Sequence, residues 1–461
     1  MWDRLISVAE EQAQSLIRTA FGAVAREAGD ISAGVYDSRG RMLVQAVTGT
    51  PGHVNTMAMA VAHFLDRYPV VTMLEGDAYV TNDPWLGTGH LFDFVVVTPV
   101  LRKDKVVALF ASTCHTVDVG GVGFSAEARS IYEEGTCIPH LKLRREGALN
   151  EDVLGIICAN SRNPVEVRGD ILSLISCNDV GVVRLLEMMA ELSLETIDAL
   201  ADHIIDHSRA ATQAAIARLP DGIYQAAMTL DGYESPIQLR ADLKIAGDQL
   251  TVDYAGSSPA SAFGINSPKC YTDAYSVYGL KCLVAPSVPN NAGSLEPFLI
   301  SAPSGSIVNP ARPSPVTARH VIGQMLPDLM FGCLSDALKG NVPAESFGSI
   351  WVMAMGNAAN APDVRCHFNT MSVGLGGTGA RPTKDGLSTT AFPSGIGGIP
   401  VEVTESQTPL VFWSKEFLPD SGGVGEFRGG LSQRIVIGDR DGRAFECNAA
   451  TFDRLVNAAR G

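Results

Sequence analysis

Three side chains in one stretch have the types needed for metal chemistry. His90, Asp93 and His115 combine imidazole with carboxylate, a usual donor set for zinc, manganese or iron(II). A cation held this way acidifies water and polarises a carbonyl. The chain around them reads as a hairpin. Phe94–Val100 and Val106–Ser112 are apolar strands, and Arg102-Lys103-Asp104 is the polar tip. A short turn at 101–104 pairs Val100 with Lys105, which sets His90 opposite His115 and Asp93 opposite Ser112. All three then lie at the open end of the hairpin. Residues three apart on a flat strand face opposite sides. His90 and Asp93 therefore share a site only if Gly87-Thr-Gly-His90 leaves the strand in a loop or bulge. The competing reading is a set of hydrogen-bonded polar residues at a hairpin mouth. Asp118, in Val117-Asp-Val-Gly-Gly121, either orients a ligand histidine from behind or satisfies the backbone of a glycine turn.

Other signals are weaker. Gly374-Leu-Gly-Gly-Thr-Gly379 resembles a phosphate-cradling loop, but no Gly-Lys-Ser/Thr follows it, and it reads as a tight turn. Cys114 adjoins His115, yet neighbours in sequence seldom align for proton transfer, so it reads as a buried bystander. His53 either lines a cleft or caps a helix, and the cap is favoured. Arg319-His320 precedes a helical pattern whose N-terminus could hold an anionic group. His63, His203 and His207 lie on helical patterns and read as structural.

The elements that must position these groups are legible as a pattern. Apolar residues from Trp2 to Phe21 recur at helical spacing. Ile31–Tyr36 and Arg41–Gln45 flank the turn Asp37-Ser-Arg-Gly40. Residues 54–67, most of 170–218, 271–284 and 320–338 have helical patterns. At 219 the texture changes to alternating runs, so the expected organisation is an N-terminal metal-site domain over 1–218 and a β-rich, mixed C-terminal region over 219–461. The fold class is α+β, multi-domain, with mixed and antiparallel sheets flanked by helices.

Composition bounds the rest. The 461 residues, 46% hydrophobic and 18% charged, make an ordinary globular chain. Thirty-five basic against fifty acidic residues give a net charge of -15, a poor match for nucleic acid or an anionic membrane. No apolar run reaches the ~18 residues of a membrane span, and acids enter at once after Met1, unlike a signal peptide. A cytoplasmic location is expected. The nine cysteines are dispersed without a Cys-x-x-Cys pair, against a zinc ribbon or a disulfide framework.

With those residues in view, the chain resembles the hydantoinase B/oxoprolinase family. The matching blocks include Trp2-Asp-Arg-Leu-Ile-Ser, Asp30-Ile-Ser, Tyr36-Asp-Ser-Arg-Gly40 and Asn82-Asp-Pro-Trp-Leu-Gly-Thr-Gly-His90. They continue through His115-Thr-Val-Asp-Val-Gly-Gly121, Ile131-Tyr-Glu-Glu-Gly135, Asn290-Asn-Ala-Gly293, Gly376-Gly-Thr-Gly-Ala-Arg381, Pro400-Val-Glu402 and Pro419-Asp-Ser-Gly-Gly423. The resemblance implies a divalent metal on His90, Asp93 and His115, joined by Asp30. It implies a small-molecule substrate, ring opening of a cyclic amide, and a hetero-oligomer with a hydantoinase A-type subunit. That partner would have an acetate/sugar-kinase fold, hold ATP and magnesium, and phosphorylate the substrate. Asp118 or Asp30 is then the candidate to take a proton from water. A role within an ATP-dependent ketone carboxylase of the acetone or acetophenone type is the alternative that the same resemblance carries. Two positions depart from the family pattern. Gly87-Thr-Gly-His90 stands where Gly-Gly-Thr-His is usual, and Ile31 where Phe is usual. Relatives of this kind also continue past the position of Gly461 with a Gly-rich segment.

Overall fold

The computed structural model describes residues 1–47, 50–348, 350–357 and 368–451. Its first layer is a seven-stranded sheet. The strands are β1 (Ile31–Asp37), β2 (Met42–Gln45), β3 (Ala78–Thr81), β4 (Asp93–Arg102), β5 (Lys105–His115), β6 (Leu141–Arg145) and β7 (Ala148–Leu149), in the order β2-β1-β5-β4-β3-β6-β7. All its pairings are antiparallel. Helices Trp2–Thr19 and Pro164–Glu191 cover one face, and Pro51–Arg67 covers the other. Phe94 and Val96 pack on the first side, Val95 and Val97 on the second. Burial of both faces is why this strand reads as an unbroken apolar run rather than an alternating one.

The hairpin expected between β4 and β5 is present, with a different register. Its turn has two residues, Lys103 and Asp104, both at positive φ, and Arg102 pairs with Lys105. Primed two-residue turns of this kind match the twist of the strands. A bulge between Val100 and Leu101 adds one more step. Together these move the partner of Asp93 from the expected Ser112 to His115, a slip of three that the sequence did not signal.

Behind this layer lie a second sheet and its helices. β8 (Gly222–Leu230), β9 (Ile237–Ala246), β10 (Gln249–Asp253) and β11 (Phe298–Ser301) form it, antiparallel except for the parallel β10–β11 pair. Helices Lys269–Val284 and Leu326–Ala337 share its core. β12 (Ile350–Asn357) sits between β13 (Asn369–Leu375) and β16 (Phe445–Ala450), while β14 (Leu410–Phe417) pairs with β15 (Gln433–Asp439). The change of texture at 219 marks the passage from helix Asp198–Ile216 to β8. Ile350, Val352, Met371, Val373 and Ile396 nevertheless pack in the same hydrophobic cluster as Phe94 and Cys114. The Gly374–Gly379 segment is the end of β13 and an extended loop rather than a tight turn, held by bonds such as Phe347 N–H to the Gly377 carbonyl. None of the described helices is long and apolar enough to cross a membrane.

A buried amide pair fastens the helices to the strands that carry the site. The Asn178 amide donates to the Val96 carbonyl (3.1 Å) and the Thr98 hydroxyl (3.2 Å). The Gln12 amide donates to Asn178 Oδ1 (2.8 Å) and the Ala111 carbonyl (3.0 Å). Both side chains are fully buried. Asn178→Leu strands several of these groups without water, so it is expected to destabilise the fold by about 1–3 kcal/mol. Urea unfolding checks this, and an unchanged midpoint would show that the pair does not brace the sheet.

Candidate metal centre

Asp93 opens β4 and His115 closes β5, and the two are directly paired. Cross-strand partners point to the same face. Here it is the face of Val95, Val97, Leu109 and Ala111, covered by helix Pro51–Arg67. The first turn of that helix brings His53 to the pair. His53 Nε2 lies 3.0 Å from Asp93 Oδ2, and its Nδ1 lies 3.4 Å from Asp30 Oδ1. The cap expected of His53 is made instead by the Thr50 hydroxyl, which accepts from the His53 backbone N–H at 3.2 Å. The His53 imidazole belongs to the cluster.

His90 arrives from the loop between β3 and β4, so the required break in the strand is present. Asn82 ties the loop, donating to the Leu91 and Thr136 carbonyls. Asp83 Oδ1 accepts from the Trp85 N–H at 2.9 Å. Gly89 has φ +101°, and a Cβ there would meet Arg319 Cδ at 2.6 Å. Only glycine lets the chain turn and Arg319 pass. His90 Nε2 comes to 2.9 Å from Asp93 Oδ1.

Asp30 precedes β1, and its carbonyl accepts the His115 N–H at 3.1 Å. This end of the β1–β5 ladder puts Asp30 Oδ2 3.9 Å from His115 Nδ1. His90, Asp93 and His115 offer donor atoms within 4.8 Å of one another, and Asp30 lines the cavity beside them. Asp118 is placed elsewhere. Its buried carboxylate pairs with the Arg162 guanidinium and accepts from the Ser161 hydroxyl and the Gly120 N–H. The structure thus gives Asp118 the glycine-turn role left open by the sequence, with no contact to a histidine of the cluster.

The largest surprise is Arg319. Its Nη2 is 2.7 Å from Asp93 Oδ2, its Nε donates to the Thr88 carbonyl at 2.9 Å, and its guanidinium lies over the Tyr271 ring at 4.1 Å. It braces the buried Asp93 carboxylate and does not present an anion site at a helix end. Nearby, Glu134 Oε1 accepts from the backbone N–H groups of Val316 and Thr317 at 2.6 and 2.7 Å. Burial pushes that carboxyl up to about 7. The segment so held offers the Thr317 carbonyl to His90 Nδ1 at 3.1 Å. A carbonyl only accepts, so Nδ1 carries the proton and Nε2 keeps its lone pair.

Electrostatics agree with this assignment. Burial, reinforced by the Arg319 charge, pushes His90 down to about 3, so it is neutral at pH 7. Burial alone would raise the Asp93 carboxyl; His53 and Arg319 more than offset that and hold it well below the usual carboxylate range. For His53 burial works downward, and Asp93 and Asp30 reverse it to a net rise. A divalent cation needs deprotonated donors with unshared lone pairs. The residues fit that need. His90 Nε2, His115 Nε2 and Asp30 Oδ1 are buried without a hydrogen-bond partner. His90 Nε2 is close to Asp93 Oδ1 yet lies off the hydrogen-bond direction.

The centre opens on a small cavity of about 60 Å³. Asp30, His53, His90 and His115 line it together with His320, Gln324 and the aliphatic side chains of Ile350, Val352, Val373 and Ile396. His320, like Arg319, gave no usable sequence signal beyond its place before a helix.

The model of the hydantoinase B/oxoprolinase family matches residues 1–461. The chain belongs to that family. It is 28% identical over 450 residues to the B component of a putative D-/L-hydantoinase of Pseudomonas sp. (strain NS671), covering 93% of this chain and 75% of that one. It is 26% identical over 446 residues to the beta component of the Pseudomonas jessenii caprolactamase, with coverage of 93% and 75%. A nucleotide-free acetone carboxylase structure superposes with a TM-score of 0.86 over 96% of this chain and 62% of that one, at 20% identity. That last likeness is one of fold.

If His90, Asp93 and His115 hold a divalent cation, replacing one of them should weaken its binding. His115→Ala is expected to lower divalent-metal affinity by more than the ~10–100-fold typical of an outer-shell change. Elemental analysis and competition with a chelator measure this. Equal metal content in wild type and variant would remove His115 from the ligand set.

Proposed function

We propose that this chain is the metal-bearing subunit of an ATP-dependent cyclic-amide hydrolase, acting on a substrate whose amide oxygen a partner subunit has phosphorylated. The observation that carries this reading is that His90, Asp93 and His115 bring donor atoms within 4.8 Å of one another beside a cavity, with His90 Nε2, His115 Nε2 and Asp30 Oδ1 unpartnered. Membership of the family and the names of the hydantoinase and caprolactamase relatives support the reaction class.

Asp30, His90, Asp93 and His115 would hold the cation, and zinc, manganese or iron(II) suits such a nitrogen and oxygen set. When bound, such a cation lowers the pKa of water and stabilises negative charge on oxygen. The protein's own groups do the rest. Arg319 and His53 keep Asp93 ionised and fixed. The Thr317 carbonyl keeps the proton of His90 on Nδ1. Asp30 has its Oδ1 free beside His53 Nδ1, so it is the carboxylate placed to accept a proton from attacking water. Asp118 is committed to Arg162 and leaves that role. The aliphatic lining keeps bulk water from the reacting carbon.

Phosphorylation belongs to the partner, an ATP- and magnesium-binding subunit with an acetate/sugar-kinase fold, in a hetero-oligomer. A His90→Ala complex should therefore still turn over ATP when substrate is present, while ring opening falls by several orders of magnitude. Measuring ATP use, product and assembly on one sample separates the readings. Ring opening at the wild-type rate in an intact complex would reject a catalytic metal at His90. ATP use stimulated by ketones and never by cyclic amides would favour a carboxylase instead. The isolated chain is expected to show no heat of binding with Mg-ATP, and micromolar binding there would overturn the division of labour.

A further inference from the structure

Gln324 follows the short helix His320–Gly323, and its backbone N–H bonds to the His320 carbonyl at 3.0 Å. The start of that turn is fixed, because Arg319 is clamped to Asp93 and Thr88. The Gln324 side chain is 3% exposed and lines the cavity with Asp30, His90 and His115. Its Oε1 is fully buried and accepts no hydrogen bond. Leaving such an oxygen dry is unfavourable, and folds rarely keep one without a use. The free imidazole and carboxylate donors suit a cation, but a neutral amide oxygen has no comparable claim on it. None of the polar groups that share the cavity, Tyr275, Ser372 and Ser394 among them, bonds to Oε1, so a donor on a bound ligand would supply its partner. A carbonyl oxygen only accepts, so the ligand must present a donor there.

We propose that Gln324 is a positioning residue that accepts the ring N–H of the cyclic substrate, a hydrogen retained by the protonated imidate that phosphorylation of the amide oxygen makes, which rests on the cyclic-amide reading above. In a ring the amide is held cis, with N–H and C–O on one edge. A linear secondary amide is trans and presents them on opposite sides. Anchoring the N–H at Gln324 holds that shared edge in place and leaves the carbon that carries the phosphorylated oxygen open to attacking water. The same contact persists in the tetrahedral adduct, whose nitrogen still carries a hydrogen. Rings alkylated on nitrogen have no donor for Oε1 and leave it unpaired, which makes Gln324 a determinant of selection for N–H rings.

The test uses the full complex with an N–H lactam or hydantoin and ATP, comparing wild type, Gln324→Leu and Gln324→Glu. Leucine matches the volume without the acceptor, whereas glutamate restores an acceptor oxygen. Gln324→Leu is expected to lower kcat/KM for ring opening by about 10- to 100-fold. Metal content and substrate-stimulated ATP use should stay at wild-type levels. Its Tm should be equal or higher, because an unpaired polar atom has been replaced by an apolar one. Gln324→Glu should recover most of the loss. A purely structural Gln324 would instead lower Tm and gain nothing from glutamate, and that outcome overturns the assignment. Wild-type kcat/KM in Gln324→Leu overturns it as well. A wild-type complex that opens no N–H ring rejects the cyclic-amide reading itself, and this inference with it.

Discussion

The site depends on one buried charge. Asp93 is inaccessible to solvent, and a lone carboxylate in such a place would lose several kcal/mol of solvation. Four partners surround it. Oδ1 faces His90 and His115, and Oδ2 faces His53 and Arg319. Each comes from a different part of the chain: a loop, the end of a strand, the first turn of a helix, and the segment after residue 315. Neutralising one carboxylate with Arg319 and His53 therefore fixes where distant elements meet, and breaking either contact leaves a poorly compensated buried charge.

That constraint is supported by a scaffold with little freedom. β4 and β5 lie at the centre of a sheet buried on both faces, with Asn178 and Gln12 bonded into their backbones. Glu134 pins the Thr317 carbonyl that sets the tautomer of His90. The metal-ligand candidates sit on these rigid parts. Part of the cavity lining is supplied by later elements, β12, β13 and the segment near Ile396, so the polar cluster and the aliphatic lining come from separable stretches of chain. The buried polar atoms left unpaired around the cavity are a stability cost that an apolar core would avoid, and proteins keep such costs mainly where they serve a ligand.

Much of this was legible in the order of residues alone. Residue chemistry singled out His90, Asp93 and His115. Periodicity placed the main helices and the hairpin strands, and the glycines of 87–90 marked the break that His90 needs. Those signals are local, and local patterns survive translation into structure. The register of β4 and β5 was a different matter, because a two-residue turn and a bulge change the pairing by three without altering which residues look apolar. The roles of His53, Asp118, Arg319 and Gln324 emerged only from the folded chain. A histidine after a helix cap, an aspartate beside glycines and an arginine before a helix look the same in sequence whether or not a buried carboxylate lies opposite. Arg319 is 226 residues from Asp93, and no spacing rule spans that distance. What joins them is the electrostatic demand of a charge removed from water, which exists only once the chain has folded.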